Sequence, residues 1–307
     1  MARRKKGNPI NGWIILDKPV GMTSTQAVGK IRWLFQAQKA GHAGTLDPLA
    51  TGVLPIALGE ATKTVPYAVD GVKAYEFAVR WGCETDTDDA EGRIVGTSDK
   101  RPAAGEIEAI LGDFHGEIQQ TPPQFSAIKI QGERAYDLAR SGEEVKLEPR
   151  PVMIDRLALV ETPDENTAVF EAECGRGTYV RALARDMGRQ LGCLGHVIQL
   201  RRTRVASFDI ESAVTLEELE DAREAEDGGV ELMQLLQPIE LALADLIEVP
   251  VAPPDAARLA RGQSVLMRGR DAPMVSGEAY AVAKGTLIAI CQMDKGELVP
   301  VRVFSYR

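Results

Sequence analysis

The sequence predicts an α+β fold: a large mixed domain followed by a small β-rich module at the C-terminus. Three observations lead there. AYEFAVRW (74–81) and TAVFEAEC (167–174) alternate apolar and polar residues with period two, as half-buried strands do. Val180, Leu183, Ala184, Met187 and Leu191 recur at helical spacing. Beyond EVPVAPPD (248–255), the runs SVLM, AYAVAK, TLIAIC and VPVRVF are separated by glycine and charged turns, which describes about sixty residues of short strands. The total of 307 residues suits one large domain plus a small one.

Taken in order, residues 1–9 form a basic tail. Ile10 to Leu16 reads as a strand ending at Asp17-Lys18-Pro19, and Ser24 as the N-cap of a helix with Ala27, Ile31, Leu34 and Phe35 on one face. Gly41 to Gly59 reads as a glycine-punctuated loop with a short helix at its end. In 74–81, Tyr75, Phe77, Val79 and Trp81 share a face. ETDTDDAEG (84–92) reads as a polar, turn-rich loop, and a helix is expected around Glu106 to Leu111. Residues 121–145 open with a proline pair and end in a helix carrying Tyr136, Leu138 and Arg140. Arg181, Arg185 and Arg189 fall four apart on one stripe of the helix after Gly177. The main boundary falls near 247, giving 10–246 and 247–307.

Composition narrows the class. Hydrophobic residues make up 44% and charged residues 26%, enough for a buried core. Apolar runs all fall short of the ~18 residues a membrane span needs, and no signal-length apolar stretch follows MARRKKGNP, so the expected location is cytoplasmic. Cys83, Cys174, Cys193 and Cys291 are scattered without a CxxC pair, which favours reduced thiols over zinc or disulfides. The net charge is −9, but unevenly spread: seven arginines and one acid lie between 176 and 204, and twelve acids with only Arg223 between 211 and 248. A face for a polyanion and a solvated helix stripe both fit that asymmetry.

The chemistry centres on GHAGTLDPLATG (41–52), where Asp47 stands between Leu46 and Pro48. Its glycines match neither GxxxxGK[ST] nor GxGxxG, so no nucleotide-binding loop is specified. An aspartate before proline is common in turns, so a cap or Asx-turn competes with a nucleophile at this position. His42 alone reads as structural. DTDDAEG lacks the layout of a calcium loop.

Six segments in order change the balance: GWIILDKPVGMTS (12–24), GHAGTLDPLATGVLPIALGEATK (41–63), KAYEFAVRWGCETDTDDAEG (73–92), PPQFSAIKIQGERAYDLAR (122–140), CGRGTYVRALARDMG (174–188) and LGHVIQLRRTRVASF (194–208). The series closely resembles the TruB family of bacterial tRNA pseudouridine synthases, across roughly 10–245. The C-terminal stretch resembles a PUA-like domain. The resemblance implies a pseudouridine synthase fold with a mixed, largely antiparallel central sheet. It implies isomerisation of uridine to pseudouridine at position 55 in the T-loop of tRNA, by base flipping.

Carried onto this chain, the family pattern makes Asp47 the catalytic aspartate, Tyr75 the tyrosine that stacks on the target base, and Arg181 the partner of the carboxylate. Tyr179 and Leu200 match the uracil pocket, His42 a histidine holding the flipped nucleotide, and Lys18 a lysine near the site that is expected to bind substrate. Residues 122–150 match an RNA-contacting insertion, where Lys129 and Arg140 are expected to bind RNA, and from the arginine cluster of 176–204 Arg201 and Arg202 are expected to hold phosphates. Many relatives have threonine at Ala43 and tyrosine at Phe125. The family implies a monomer acting on tRNA with no cofactor, no metal, no membrane and no protein partner. Two other readings stand beside it: a non-catalytic tRNA-binding or RNA-chaperone protein of this fold, and a guide-RNA-dependent synthase of the dyskerin kind.

The chemistry explains the residue types. The bond from ribose C1′ to uracil N1 must break and the base rejoin through C5, so an ionised, aimed carboxylate is needed. Apolar neighbours favour the neutral acid, while a guanidinium favours the ionised form and can engage carboxylate oxygens directly.

Overall fold

The computed structural model describes residues 7–126, 147–226, 229–267 and 276–306, and the backbone of 129–130 and 133–134. The helix expected around Tyr136, Leu138 and Arg140 lies outside the described residues.

Two strands are apolar at consecutive positions because both of their faces are covered. In β1 (Gly12–Lys18), Ile14 and Leu16 enter one core, and Trp13 and Ile15 enter another. Residues Ala40–His42 form β2. In β3 (Thr51–Leu58), Leu54, Ile56 and Leu58 join the first core, and Val53 and Ala57 the second. The stretch expected as one loop from Gly41 to Gly59 is therefore mostly strand. Glycine and Pro55 break the usual strand pattern, and two-sided burial removes the alternation that would have marked it. Pro55 lies opposite Ile15, and its carbonyl accepts from Ala43 N–H at 2.9 Å.

The main sheet runs in the order β1, β3, β12 (Gly195–Val205), β4 (Lys73–Trp81), β11 (Thr167–Cys174), β10 (Arg150–Asp164), β7 (Gly116–Gln120). β2 pairs with β3, and β13 (Phe208–Asp209) with β12. The β3–β12 contact is parallel and the other ladders are antiparallel, which is the mixed, largely antiparallel sheet expected. Gly52 permits the parallel contact. Its φ is +95°, and a Cβ there would lie 2.2 Å from Arg202 O. Two small ladders lie apart from it: β5 (Cys83–Thr85) with β6 (Ile94–Thr97), and β8 (Lys129–Ile130) with β9 (Glu133–Arg134).

Helices α1 (Ser24–Leu34) and α4 (Val180–Leu191) cover one face of the sheet. α1 contributes Ala27, Ile31 and Leu34, and α4 the predicted stripe of Val180, Leu183, Ala184, Met187 and Leu191. The cap of α1 is Thr23 rather than Ser24. Thr23 Oγ1 accepts from Gln26 N–H and the Gln26 side chain returns to Thr23 N–H, a closed capping box. Ser24 is buried and serves the site instead. The remaining α-helices among the described residues are α2 (Val65–Asp70), α3 (Ala104–Leu111), α5 (Leu216–Glu224), α6 (Val230–Gln234) and α7 (Pro253–Leu259).

The C-terminal module is a five-stranded sheet in the order β14 (Ile247–Pro250), β16 (Gly277–Ala283), β17 (Thr286–Asp294), β18 (Glu297–Val303), β15 (Val265–Leu266). Val249, Leu259, Ala281, Cys291 and Leu298 form its own core. Tyr280, Leu287, Ile290 and Phe304 instead join Trp13 and Phe208 in the second core of the large domain. Lys63 Nζ donates to Val303 O at 2.8 Å and Ser305 N–H to Glu60 Oε2 at 2.7 Å, which fastens the C-terminal segment to the large domain.

Candidate active site

The loop from Ala43 to Ala50 joins β2 to β3 and carries Asp47. Three buried side chains from three elements hold its backbone. Ser24 Oγ, at the start of α1, accepts from Leu46 N–H at 2.8 Å and donates to Leu46 O at 3.0 Å. Lys18 Nζ, at the end of β1, donates to Met22 O at 2.7 Å, Pro19 O at 2.8 Å and Pro48 O at 3.5 Å. Arg202, on β12, donates from Nη2 to Gly44 O at 3.0 Å, from Nη1 to Thr45 O at 3.5 Å and from Nε to Val53 O at 2.8 Å. Asp47 O accepts from Ala50 N–H, which closes the turn. The loop is clamped from the inside by these three buried side chains, while the Asp47 carboxylate remains partly exposed.

The Asp47 side chain is 39% exposed, whereas that of its partner Arg181 is 6% exposed. Arg181 Nε lies 3.0 Å from Asp47 Oδ2. The other donors of Arg181 are used inward: Nη1 to Thr87 O at 2.7 Å and Asp89 Oδ2 at 3.2 Å, and Nη2 to Phe125 O at 2.9 Å. Asp89 is itself held by Thr87 Oγ1 at 2.6 Å and Glu91 N–H at 3.0 Å. With Nη1 and Nη2 held by these partners, the guanidinium is fixed in place and Nε is left beside the Asp47 carboxylate.

The pair opens onto a cavity of about 530 Å³, whose walls include His42, Asp47, Tyr75, Tyr179, Arg181, Leu200 and Arg202. Ser126, Lys73 and the Gly175–Thr178 turn complete it. Tyr179 is placed by Gln120, whose side chain accepts from Tyr179 N–H at 2.8 Å and donates to Tyr179 O at 3.2 Å. Burial pushes the Tyr75 and Tyr179 phenols up from their ordinary range. Burial and then Arg202 push the His42 imidazole down from its ordinary range, and its Nδ1 has no hydrogen-bond partner among the described residues. Lys73 donates to Val69 O and Gly71 O, and burial lowers it to about 8. Among the described residues no group of three or more His, Cys, Asp or Glu side chains is placed to hold a metal ion.

Seven of the expected site residues therefore line one cavity: His42, Asp47, Tyr75, Tyr179, Arg181, Leu200 and Arg202. Lys18 is a correction. It is 0% exposed and lies behind the Asp47 loop with its ammonium on backbone carbonyls, so it supports the loop rather than touching substrate. Arg202 is a second correction. At 1% exposed, with its guanidinium on three carbonyls, it is no outer phosphate contact. Arg201 lies on the surface, paired with Asp17 at 2.8 Å. Arg140 and the Lys129 side chain lie outside the described residues.

The cluster from 176 to 204 is also not a free basic face. Arg176 pairs with Asp70, Arg181 with Asp47 and Asp89, Arg185 with Asp88 and Asp186, Arg189 with Glu84, and Arg204 with Glu173. Asp88 and Asp89 went unrecognised because they sit in a run that reads as a polar loop. Two arginines four apart on one helix, facing two adjacent acids, were the available signal. Burial raises Asp88 to about 6 despite Arg185.

The description "TruB family pseudouridylate synthase (N terminal domain)" fits residues 32–180, and "tRNA pseudouridylate synthase B C-terminal domain" fits residues 181–244. A protein of Rhodopseudomonas palustris named tRNA pseudouridine synthase B is 58% identical, over 98% of this chain and 83% of its own length. One of Nitrobacter winogradskyi with the same name is also 58% identical, over 98% and 85%. The chain belongs to the TruB family. Among solved structures, one chain of a Cbf5–Nop10–Gar1 complex superposes with a TM-score of 0.73 at 26% identity, covering 96% of this chain and 84% of that chain. The TruB membership thus rests on relatives far more similar than that neighbour. No helix among the described residues is long and apolar enough to cross a membrane.

Proposed function

We propose that this chain isomerises uridine to pseudouridine at position 55 in the T-loop of tRNA, acting as a monomer in the cytoplasm without cofactor or protein partner. The observation that carries the reading is the Asp47–Arg181 pair at the wall of a cavity shared with Tyr75, Tyr179, Leu200 and His42. The target uridine is extruded from the loop at a cost of a few kcal/mol. Stacking on Tyr75 returns ~1–3 kcal/mol of that. Leu200 and Tyr179 enclose the base, His42 holds the flipped nucleotide, and Asp47 acts at the reacting centre with Arg181 paired to it.

In this reading the catalytic domain is 10–246 and the PUA-like domain 247–307, with 122–150 packing into the RNA loop. Lys129, Arg140 and Arg201 are the phosphate contacts, and the acidic 211–248 region faces away from RNA. Identity of 55–58% with proteins named tRNA pseudouridine synthase B supports a stand-alone enzyme over a non-catalytic binder or a guide-dependent synthase. The test is purified protein on an unmodified tRNA transcript with no other component. Pseudouridine at position 55 is expected. Binding without conversion would support the non-catalytic reading, and conversion only with a guide RNA the dyskerin-like one.

A further inference from the structure

Arg202 has a placement that the arginine cluster does not explain. In β12 it pairs with Gly52 of β3 in parallel register and with Tyr75 of β4 in antiparallel register, so it stands where three strands meet. Its side chain lines the cavity beside Tyr75, its partner across the ladder, and reaches Gly44 O, Thr45 O and Val53 O. These hydrogen-bond partners are backbone carbonyls rather than a carboxylate. Burying a guanidinium on neutral partners is costly, and a plain sheet join does not require a cation.

We infer that Arg202 is a positioning residue for the reaction: one guanidinium ties the Gly44–Thr45 end of the Asp47 loop to Tyr75, fixing carboxylate and phenol on the same point of the cavity. The geometry supports this in two further ways. Gly44 has φ +84°, and a Cβ there would lie 3.3 Å from Arg202 Nη1, so the loop is shaped to the guanidinium. Neighbouring Arg201, one residue away, points outward to Asp17, so the two arginines of the pair have separate tasks.

The inference rests on the pseudouridine synthase reading, so wild-type conversion of tRNA is measured first; its absence would count against that reading and not against Arg202 alone. Arg202→Met and Arg202→Lys are then compared with wild type by single-turnover pseudouridine formation at saturating tRNA, by tRNA affinity across a salt series, and by thermal midpoint. The expected result is a rate about 100-fold lower for Arg202→Met, with affinity within about threefold and an unchanged salt slope. Arg202→Lys keeps the charge and is expected to recover part, about tenfold, of that loss. If Arg202→Met does not fold, Arg202→Lys decides: a rate still at least about tenfold below wild type supports positioning. Wild-type rates in either folded variant would overturn the inference. So would a lower salt slope with a normal saturated rate, which would make Arg202 a phosphate contact.

Discussion

Arg181 spans two carboxylates of opposite exposure: Nε lies 3.0 Å from Asp47, which faces the cavity, and Nη1 lies 3.2 Å from Asp89, whose side chain is 5% exposed. The buried acid anchors the guanidinium so that its remaining edge can serve the exposed one. Removing the anchor should therefore affect chemistry more than RNA binding. Asp89→Asn is expected to lower saturated turnover about tenfold or more, and to destabilise the fold by about 3 kcal/mol, as for a broken buried pair. Single-turnover rates and urea unfolding check both figures. Unchanged turnover would mean that Arg181 needs no second carboxylate.

Ser24 makes two hydrogen bonds to Leu46, the residue before Asp47. Ser24→Ala leaves a buried N–H and C=O unpaired, a cost of about 1–3 kcal/mol. The expected signature is a fall in saturated turnover with tRNA affinity intact. A loss confined to stability would make Ser24 an ordinary packing residue.

Lys18 gives a pH prediction. Burial lowers its ammonium to about 8, against 10.5 for an unperturbed lysine. Between pH 8 and 9 the unfolded chain therefore holds a proton that the native state has largely released, so stability rises with pH there. The slope approaches about 1 kcal/mol per pH unit for one such group. Lys73, also lowered to about 8, adds in the same direction. Urea unfolding at pH 8 and 9 is expected to show a smaller rise in Lys18→Met than in wild type. Equal rises would contradict the burial of a charged Lys18.

The C-terminal module shares a core with the large domain through Phe304. Phe304→Ala is expected to cost about 3–5 kcal/mol, read as a lower urea midpoint. A change below about 1 kcal/mol would show that the tail contributes little to the joint.

Much of this was legible in the sequence. The stripe of α4 and the alternation of β4 and β11 each follow from one-sided burial, which leaves a period. β3 hid because it is buried on both faces and carries glycine and proline. The site was legible in Asp47, Tyr75 and Arg181 through motif resemblance. Lys18 was misplaced because a motif match gives nearness to the site but not direction, and Arg202 because a run of arginines suggests a polyanion; only the fold shows that both donate to backbone carbonyls. Asp89 hid for the converse reason: its acidic run reads as solvated until α4 brings Arg181 and Arg185 against it.

The most direct measurement is tritium release from 5-labelled uridine in tRNA, comparing wild type with Asp47→Asn in a single turnover. Wild type is expected to release the label, and the variant to release none while binding tRNA within about tenfold of wild type, a difference of at most ~1.4 kcal/mol. Near-normal release by Asp47→Asn would remove the carboxylate from the chemistry and contradict the account.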